Sequence, residues 1–184
     1  IGTEQAAPII LDGLSKLEYR GYDSAGMAVF DGKQVNVTKS VGRLKVLEEL
    51  THGGATMPGT VGIGHTRWAT HGIPNDVNSH PHFNKEKTIT VVHNGIIENY
   101  IPLRNKLLKK GYEFVSETDT EVVAQLLDYY YNGNPLETIL KVLHRIEGSY
   151  ALGIMFADHP GELFAARKGS PLIVGQSENG CFIA

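Results

Sequence analysis

Residues 150–184 read YALGIMFADHPGELFAARKGSPLIVGQSENGCFIA, a series of short apolar segments separated by turn sequences. The apolar segments are 150–156, 162–167, 172–175 and 181–184. The connections between them are short and rich in residues that favour turns. Such connections join antiparallel strands, because a parallel crossover needs a dozen or more residues. An antiparallel sheet is therefore predicted for the second half of the chain.

Upstream of this region, apolar residues recur at the spacing of amphipathic helices. The predicted helices are marked by Leu11, Leu14 and Leu17, by Leu44, Leu47 and Leu50, by Leu103, Leu107 and Leu108, by residues 122–127, and by the start signal Asn134-Pro135. Thr118 with Glu121 matches a capping box and predicts the start of the fourth helix.

Short apolar runs rich in β-branched residues predict strands. Asp31-Gly32-Lys33 separates the runs 27–30 and 35–38 and is typical of a hairpin turn. The runs 61–64 and 89–92 are predicted to be buried strands with a polar loop between them. The chain is therefore expected to be α+β, with helices covering antiparallel sheet.

The composition points to a small-molecule partner. The chain has 184 residues, 41% of them hydrophobic, and a net charge of −3, which suits one globular domain. Its charges are interspersed, so neither nucleic acid nor a membrane surface is expected as a partner. No signal segment or long apolar run is found, and the single cysteine forms no internal disulfide. A cytoplasmic location is the simplest expectation.

Three polar motifs carry the chemistry. They are the segment 65–72 (HTRWATHG), His93-Asn94-Gly95 and Ser116-Glu117-Thr118-Asp119. Together they supply a guanidinium, a side-chain amide, a glycine N–H and a carboxylate. These groups suit the binding of a zwitterionic amino acid and of an oxyanion.

A metal site is not expected, although five of the eight histidines lie between positions 65 and 93. Their spacing is irregular, and zinc sites usually show tight paired ligands. The proline in His80-Pro81-His82 restricts shared coordination. No cofactor is indicated either.

The motifs resemble the glutaminase domain of the glutamine:fructose-6-phosphate amidotransferases, also called glucosamine-6-phosphate synthases. The resemblance runs in order through the whole chain. It rests on the three motifs above together with segments 17–26 (LEYRGYDSAG) and 80–82 (HPH), and on the longer runs 93–99 (HNGIIEN) and 116–121 (SETDTE). It implies a four-layer αββα sandwich of the N-terminal-nucleophile hydrolase type.

The resemblance also implies a nucleophilic cysteine that leads the first strand. This chain begins at Ile1, so residues 1–184 are expected to be a glutaminase domain that lacks its first strand and leading cysteine, and to be inactive as such. Cys181 is expected to be a buried structural thiol, not a replacement nucleophile.

By resemblance, Asn94 and Gly95 form the oxyanion hole. Arg67 binds the substrate α-carboxylate, because its planar fork of donors matches a carboxylate. Asp119 accepts the α-ammonium. The alternatives are a hairpin turn for Asn94-Gly95, a surface ion pair for Arg67 and a favourable charge at a helix N-terminus for Asp119.

Four further residues are expected around the substrate. Thr70 and His71 contact the amino acid, His80 shapes the site, and Trp68 resembles a lid residue, with core packing as its alternative.

The intact domain is expected to hydrolyse L-glutamine to glutamate and ammonia through a cysteine thioester, and to pass ammonia to fructose 6-phosphate. Its expected partner is the sugar-isomerase portion of a full-length enzyme, a homodimer, and that portion is absent from this chain. The alternatives are a non-catalytic glutamine- or glutamate-binding module, or the glutaminase domain of another amidotransferase such as the phosphoribosylpyrophosphate enzyme.

Overall fold

The computed structural model describes residues 1–68 and 72–184, apart from the side chain of Arg20. The described residues form helices α1 (Ala6–Leu17), α2 (Leu44–Leu50), α3 (Tyr100–Leu108), α4 (Glu121–Tyr130) and α5 (Pro135–Leu143), with a 3₁₀ helix at Glu18–Arg20. Their strands are β1 (Ser24–Phe30), β2 (Val35–Val41), β3 (Val61–Arg67), β4 (His82–Phe83), β5 (Ile89–Ile97), β6 (Gly148–Phe156), β7 (Phe164–Lys168), β8 (Val174–Ser177) and β9 (Gly180–Ile183).

The strands pair in the antiparallel manner predicted from the short turns. One sheet has the order β2-β1-β3 and a second has the order β4-β5-β6-β7, while β8 and β9 form a hairpin. The longest pairing joins β5 to β6, from Ile89 opposite Phe156 to Ile97 opposite Gly148. These strands form the central ladder of the second sheet.

Helices cover the outer faces of the two sheets, which pack against each other. Leu11 and Leu14 of α1 belong to one buried cluster with Met27 of β1. A larger cluster joins the second sheet to α3, α4 and α5. A third cluster, which includes Ile63 of β3 and Met155 of β6, lies between the sheets. The layers are therefore α, β, β and α, as the resemblance predicted.

Side-chain alternation along β3 and β5 places the polar residues at their ends on the side that faces the other sheet. Val61 and Ile63 pack in the cluster between the sheets. Successive side chains of a strand point to opposite faces, so His65 and Arg67 lie on that same side. On β5, Asn94 has the parity of Val92, which also packs between the sheets.

The prediction of a polar loop directly after residue 64 is wrong. Strand β3 continues to Arg67, which pairs with Ser24, and β5 continues to Ile97, which pairs with Gly148. Backbone pairing with a neighbouring strand extends each strand beyond its apolar segment. The polar motifs thus begin on rigid strands.

The predicted capping box is also wrong. Helix α4 begins at Glu121 with Thr120 as its N-cap. The Glu121 carboxylate accepts hydrogen bonds from the backbone N–H groups of Ser116 (2.7 Å) and Val115 (2.9 Å). It therefore secures the preceding loop and does not cap the helix.

Cys181 is exposed, so the expectation of a buried thiol is wrong. It lies on β9, and the side chains of Val174 (69% exposed) and Phe182 (40%) on this hairpin are also open to solvent. The apolar run does form a strand, but the described elements leave Cys181 and Phe182 on it exposed. No helix in the described part of the chain is long and apolar enough to cross a membrane.

Candidate active site

Asn94 and Gly95 lie inside β5, opposite Ala151 and Tyr150 of β6. The hairpin-turn alternative for this dipeptide is therefore wrong. Gly95 has φ of +138°, and a Cβ there would stand 2.0 Å from the Ser149 carbonyl oxygen. Only glycine fits this backbone. The Asn94 side chain is exposed, so its amide is open to a ligand.

Arg67 ends β3 and is only 4% exposed. Its Nη2 donates to the Gly72 carbonyl (3.0 Å), and its Nη1 lies 4.0 Å from Asp23 Oδ1. Burial lowers the pKa of the guanidinium, and the carboxylates of Asp23 and Asp119 oppose that shift. The alternative of a surface ion pair is therefore wrong.

Asp119 lies in a loop that is fastened to the second sheet. Its Oδ2 accepts a hydrogen bond from the Ile97 N–H (2.7 Å), and the residue is 4% exposed. Thr118 Oγ1 lies 3.0 Å from His82 Nε2, and Thr120 Oγ1 lies 2.8 Å from His93 Nδ1. Because Asp119 also acts on the Arg67 guanidinium, the two opposite charges lie at the same end of the sandwich.

Trp68 is 60% exposed, so the core-packing alternative for it is wrong. Its ring meets that of Tyr22 edge to face, with 5.5 Å between centroids. Tyr22 is exposed as well, so this aromatic pair lies at the surface, and Trp68 directly follows Arg67 in the chain. The predicted substrate contacts Thr70 and His71 lie outside the described residues.

His80 belongs to a compact group of four imidazoles, the histidine cluster, formed by His65, His80, His82 and His93. His80 stacks on His65 (4.3 Å between centroids) and meets His82 edge to face (4.9 Å). Its Nδ1 accepts a hydrogen bond from the His93 N–H (3.2 Å). His80 therefore supports β5 directly before Asn94.

Burial keeps the histidine cluster neutral. It lowers the pKa of His65 to about 4 and the pKa values of His80 and His82 well below their usual range. It lowers the pKa of His93 as well, against the opposing charge of Asp119. Among the described residues, no group of three or more His, Cys, Asp or Glu side chains is arranged to hold a metal ion.

Sequence reasoning assigned no role to two residues that the structure places at the site. Asp23, in segment 17–26, lies beside Arg67. Asn78 is 1% exposed and bonds to Glu117, near Asp119. It carries no signal of its own, because an asparagine in a polar loop is typical of any turn.

Comparisons with known proteins agree with this geometry. A family model described as a glutamine amidotransferase domain matches residues 65–184. Two similar relatives are glutamine–fructose-6-phosphate aminotransferases [isomerizing] from Caldanaerobacter subterraneus subsp. tengcongensis (60% identical over 184 residues) and Clostridium acetobutylicum (57% over 183 residues). Each match covers 100% of this chain and 30% of the relative, so the chain spans less than a third of their length.

Among solved structures, a glutamine phosphoribosylpyrophosphate amidotransferase from B. subtilis, complexed with ADP and GMP, superposes with a TM-score of 0.86. It is 28% identical, and the match covers 99% of this chain and 40% of that one. The fold is thus that of the N-terminal-nucleophile amidotransferases. The chain belongs to the glutamine amidotransferase domain family, which confirms the resemblance predicted from the motifs.

The neutral histidine cluster predicts acid sensitivity. The unfolded chain binds protons on these residues below their ordinary pKa of about 6.5, whereas the folded chain keeps them neutral. Stability is therefore complete above about pH 6.5 and is lost as the pH falls from there toward the pKa of about 4 of His65. The expected loss is roughly 1.4 kcal/mol per pH unit for each such histidine.

Urea unfolding between pH 7.5 and 4.5 measures this loss. His65→Gln should flatten the dependence, because it removes one of the buried imidazoles whose pKa is lowered in the folded chain. His144→Gln removes an exposed histidine that lies outside the histidine cluster, and it is the control. Equal slopes in all three proteins would contradict the prediction.

Proposed function

We propose that this chain is the glutaminase domain of a glutamine–fructose-6-phosphate aminotransferase. It binds L-glutamine and, with a cysteine that precedes Ile1, hydrolyses it to glutamate and ammonia. The observation that carries the proposal is the placement of buried Arg67 and Asp119 at the same end of the sandwich as Asn94 and Gly95. The names of the relatives support the choice of enzyme.

Arg67 and Asp119 match the two charges of an amino acid. The guanidinium binds the α-carboxylate through parallel N–H donors, and the carboxylate of Asp119 accepts from the α-ammonium. Both are 4% exposed, so contacts to a ligand form away from bulk water and are screened little.

Asn94 and Gly95 serve the reaction itself. A thiolate attacks the side-chain amide carbon of glutamine and forms a tetrahedral oxyanion. The Asn94 amide and the Gly95 N–H stabilise that charge. Ammonia then leaves, and water hydrolyses the thioester to glutamate and the free thiol. The terminal α-amine, with a reference pKa of about 7.7 to 8.0, is the base for its own thiol.

The edges of two strands provide a place for the nucleophile. Ile1 and Cys181 exchange two backbone hydrogen bonds (3.0 and 2.8 Å), and Gly2 donates to the Thr60 carbonyl (3.1 Å). A strand that continues upstream from Ile1 runs along β9 and beside β3, an edge strand in the described sheet. Six residues of strand span about 20 Å, as far as from residue 61 to Arg67. A cysteine about six residues before Ile1 therefore reaches Arg67.

The remainder of the proposal concerns the longer protein. The relatives extend well beyond the matched region, which supports a sugar-isomerase portion that receives ammonia and adds it to fructose 6-phosphate. We place the full-length protein among homodimers on the resemblance alone. The relative that is 60% identical supports a sugar phosphate as the ammonia acceptor. The phosphoribosylpyrophosphate amidotransferase is only 28% identical, so phosphoribosylpyrophosphate is the less favoured acceptor.

Addition of the nucleophile tests the proposal directly. An extended chain, with a cysteine-led apolar strand of about six residues before Ile1, should release ammonia from L-glutamine. The same extension led by alanine should bind L-glutamate and release none. Ammonia release by the 184-residue chain that is lost in Cys181→Ala, or inactivity of a folded cysteine-led chain, would contradict it.

Arg67→Ala and Asp119→Ala in the extended chain should each raise KM for glutamine. Each removes a charge partner that is present in both the ground state and the transition state. The loss of a charge-assisted contact is worth roughly 1.5 to 3 kcal/mol, or about ten- to a hundredfold in KM. Steady-state kinetics measures both constants, and an unchanged KM in both variants rules out these roles.

Asn94→Ala in the extended chain should lower kcat by about a hundred- to a thousandfold with a much smaller change in KM, since the donor acts mainly in the transition state. Asn94→Asp should be at least as damaging, because it places negative charge where the oxyanion develops. Thermal melting controls for folding. A near-normal kcat in Asn94→Asp would place the oxyanion hole elsewhere.

A further inference from the structure

The two charged residues of the site, Arg67 and Asp119, are held by different sheets. Arg67 ends β3 in the first sheet, whereas Asp119 precedes α4 and bonds to β5 in the second sheet. Because the carboxylate and the ammonium of an α-amino acid have a fixed separation, the ligand requires a fixed distance between Arg67 and Asp119. Loops 72–80 and 116–119 meet at Asn78, which is 1% exposed.

Asn78 contacts the segment Gly72-Ile73, which accepts a hydrogen bond from Arg67. Its Nδ2 donates to the Ile73 carbonyl (3.0 Å). The preceding residue, Gly72, is the acceptor for Arg67 Nη2 (3.0 Å). Gly72 has φ of +77°, and a Cβ there would stand 2.7 Å from Asn78 Nδ2. Gly72, whose carbonyl accepts from Arg67, is therefore packed against the Asn78 amide.

The same amide also bonds to the loop that carries Asp119. Asn78 Oδ1 accepts from the Glu117 N–H (2.9 Å), and Nδ2 donates to Glu117 Oε2 (3.3 Å). Glu117 lies two residues before Asp119, whose Oδ2 is set by the Ile97 N–H. The backbone N–H of Asn78 donates to Asn75 Oδ1 (2.7 Å), which fixes Asn78 itself within its loop.

We propose that Asn78 is a positioning residue that sets the spacing between Arg67 and Asp119, and thereby the fit of the site to an α-amino acid. This proposal rests on the proposed function, in which those two residues bind the substrate charges. The Asn78 side chain is buried and bonds to two loops of the protein, so we assign it no contact with the substrate. Its loss therefore weakens recognition and leaves the chemical step intact.

Two substitutions distinguish the hydrogen bonds that the Asn78 side chain makes to the two loops. Asn78→Ala removes the bonds to both loops. Asn78→Asp keeps the shape and the acceptor for Glu117 N–H, but it loses the donor to Ile73 and sets a negative charge beside Glu117 Oε2. Both should raise KM, and Asn78→Asp keeps the proposal testable should Asn78→Ala fail to fold.

Asn84 offers a matched control. It is also 1% exposed, and its side chain also makes three hydrogen bonds, to Thr88 Oγ1 (2.8 Å), Asp128 Oδ1 (2.6 Å) and the Ile89 N–H (2.9 Å). These bonds lie at the start of β5, whereas Asp119 bonds to its end. Asn84→Ala therefore removes as many side-chain hydrogen bonds as Asn78→Ala but none that involves Arg67 or Asp119.

The experiment measures KM and kcat for glutamine in the cysteine-led extended chain, with L-glutamate titrated calorimetrically into the 184-residue chain. Asn78→Ala and Asn78→Asp should raise KM and the glutamate Kd about tenfold and change kcat less than about threefold, the loss expected for a net hydrogen bond or two. Asn84→Ala should lower the melting temperature to a similar degree with KM unchanged.

The outcomes distinguish this inference from the proposed function. If Arg67→Ala leaves KM unchanged, the substrate assignment itself fails. If Arg67→Ala raises KM while folded Asn78→Ala and Asn78→Asp do not, the positioning role is overturned. A rise of KM in Asn84→Ala equal to that in Asn78→Ala would show a general loss of stability and would overturn it as well.

Discussion

The burial of the Arg67 guanidinium is the constraint on which the rest of the site depends. Withdrawal of an ion from water costs several kcal/mol, on the order of 5, unless partners compensate it. Among the described residues, partners come from three parts of the chain: Asp23 before β1, the Gly72 carbonyl and, through its charge, Asp119. The conformations of three loops are thereby coupled to one side chain. A site that must hold a charged amino acid already has its charges placed and largely shielded from water.

The histidine cluster meets this constraint with neutral groups. Burial holds the histidine cluster in its uncharged form, so His65 and His80 fill the space near Arg67 without adding positive charge. His80 Nδ1 accepts a hydrogen bond from the backbone N–H of His93 on β5, and His93 Nδ1 bonds to the Thr120 hydroxyl directly before α4. Neutral rings with hydrogen-bonding capacity thus secure the position of Asn94 and Asp119. A lysine or arginine in these places would compete with Arg67 for its carboxylates.

Much of the architecture could be predicted from residue patterns. Short turns after residue 156 predict antiparallel strands, which the structure confirms. The predicted helix start at Asn134 is confirmed as well, since its Oδ1 accepts a hydrogen bond from the Glu137 N–H (3.1 Å). The errors have physical reasons. β3 and β5 run on past their apolar segments because their backbones pair with β1 and β6, and pairing does not depend on side-chain polarity. Glu121 resembled a capping residue, yet its carboxylate bonds to the loop before it.

The amino-acid sequence by itself determined the kinds of groups at the site, a guanidinium, a carboxylate, an amide and a glycine, because chemistry belongs to residue types. It also determined the family, since several motifs agree in order along the chain. Only the tertiary structure decided that Arg67 is buried, that Asn94-Gly95 lies within a strand, that Cys181 is exposed and that Asn78 joins two loops. Burial and partner choice depend on which segments pack together across the sandwich, and residues 39 positions apart, such as Asn78 and Glu117, leave no local pattern of their contact.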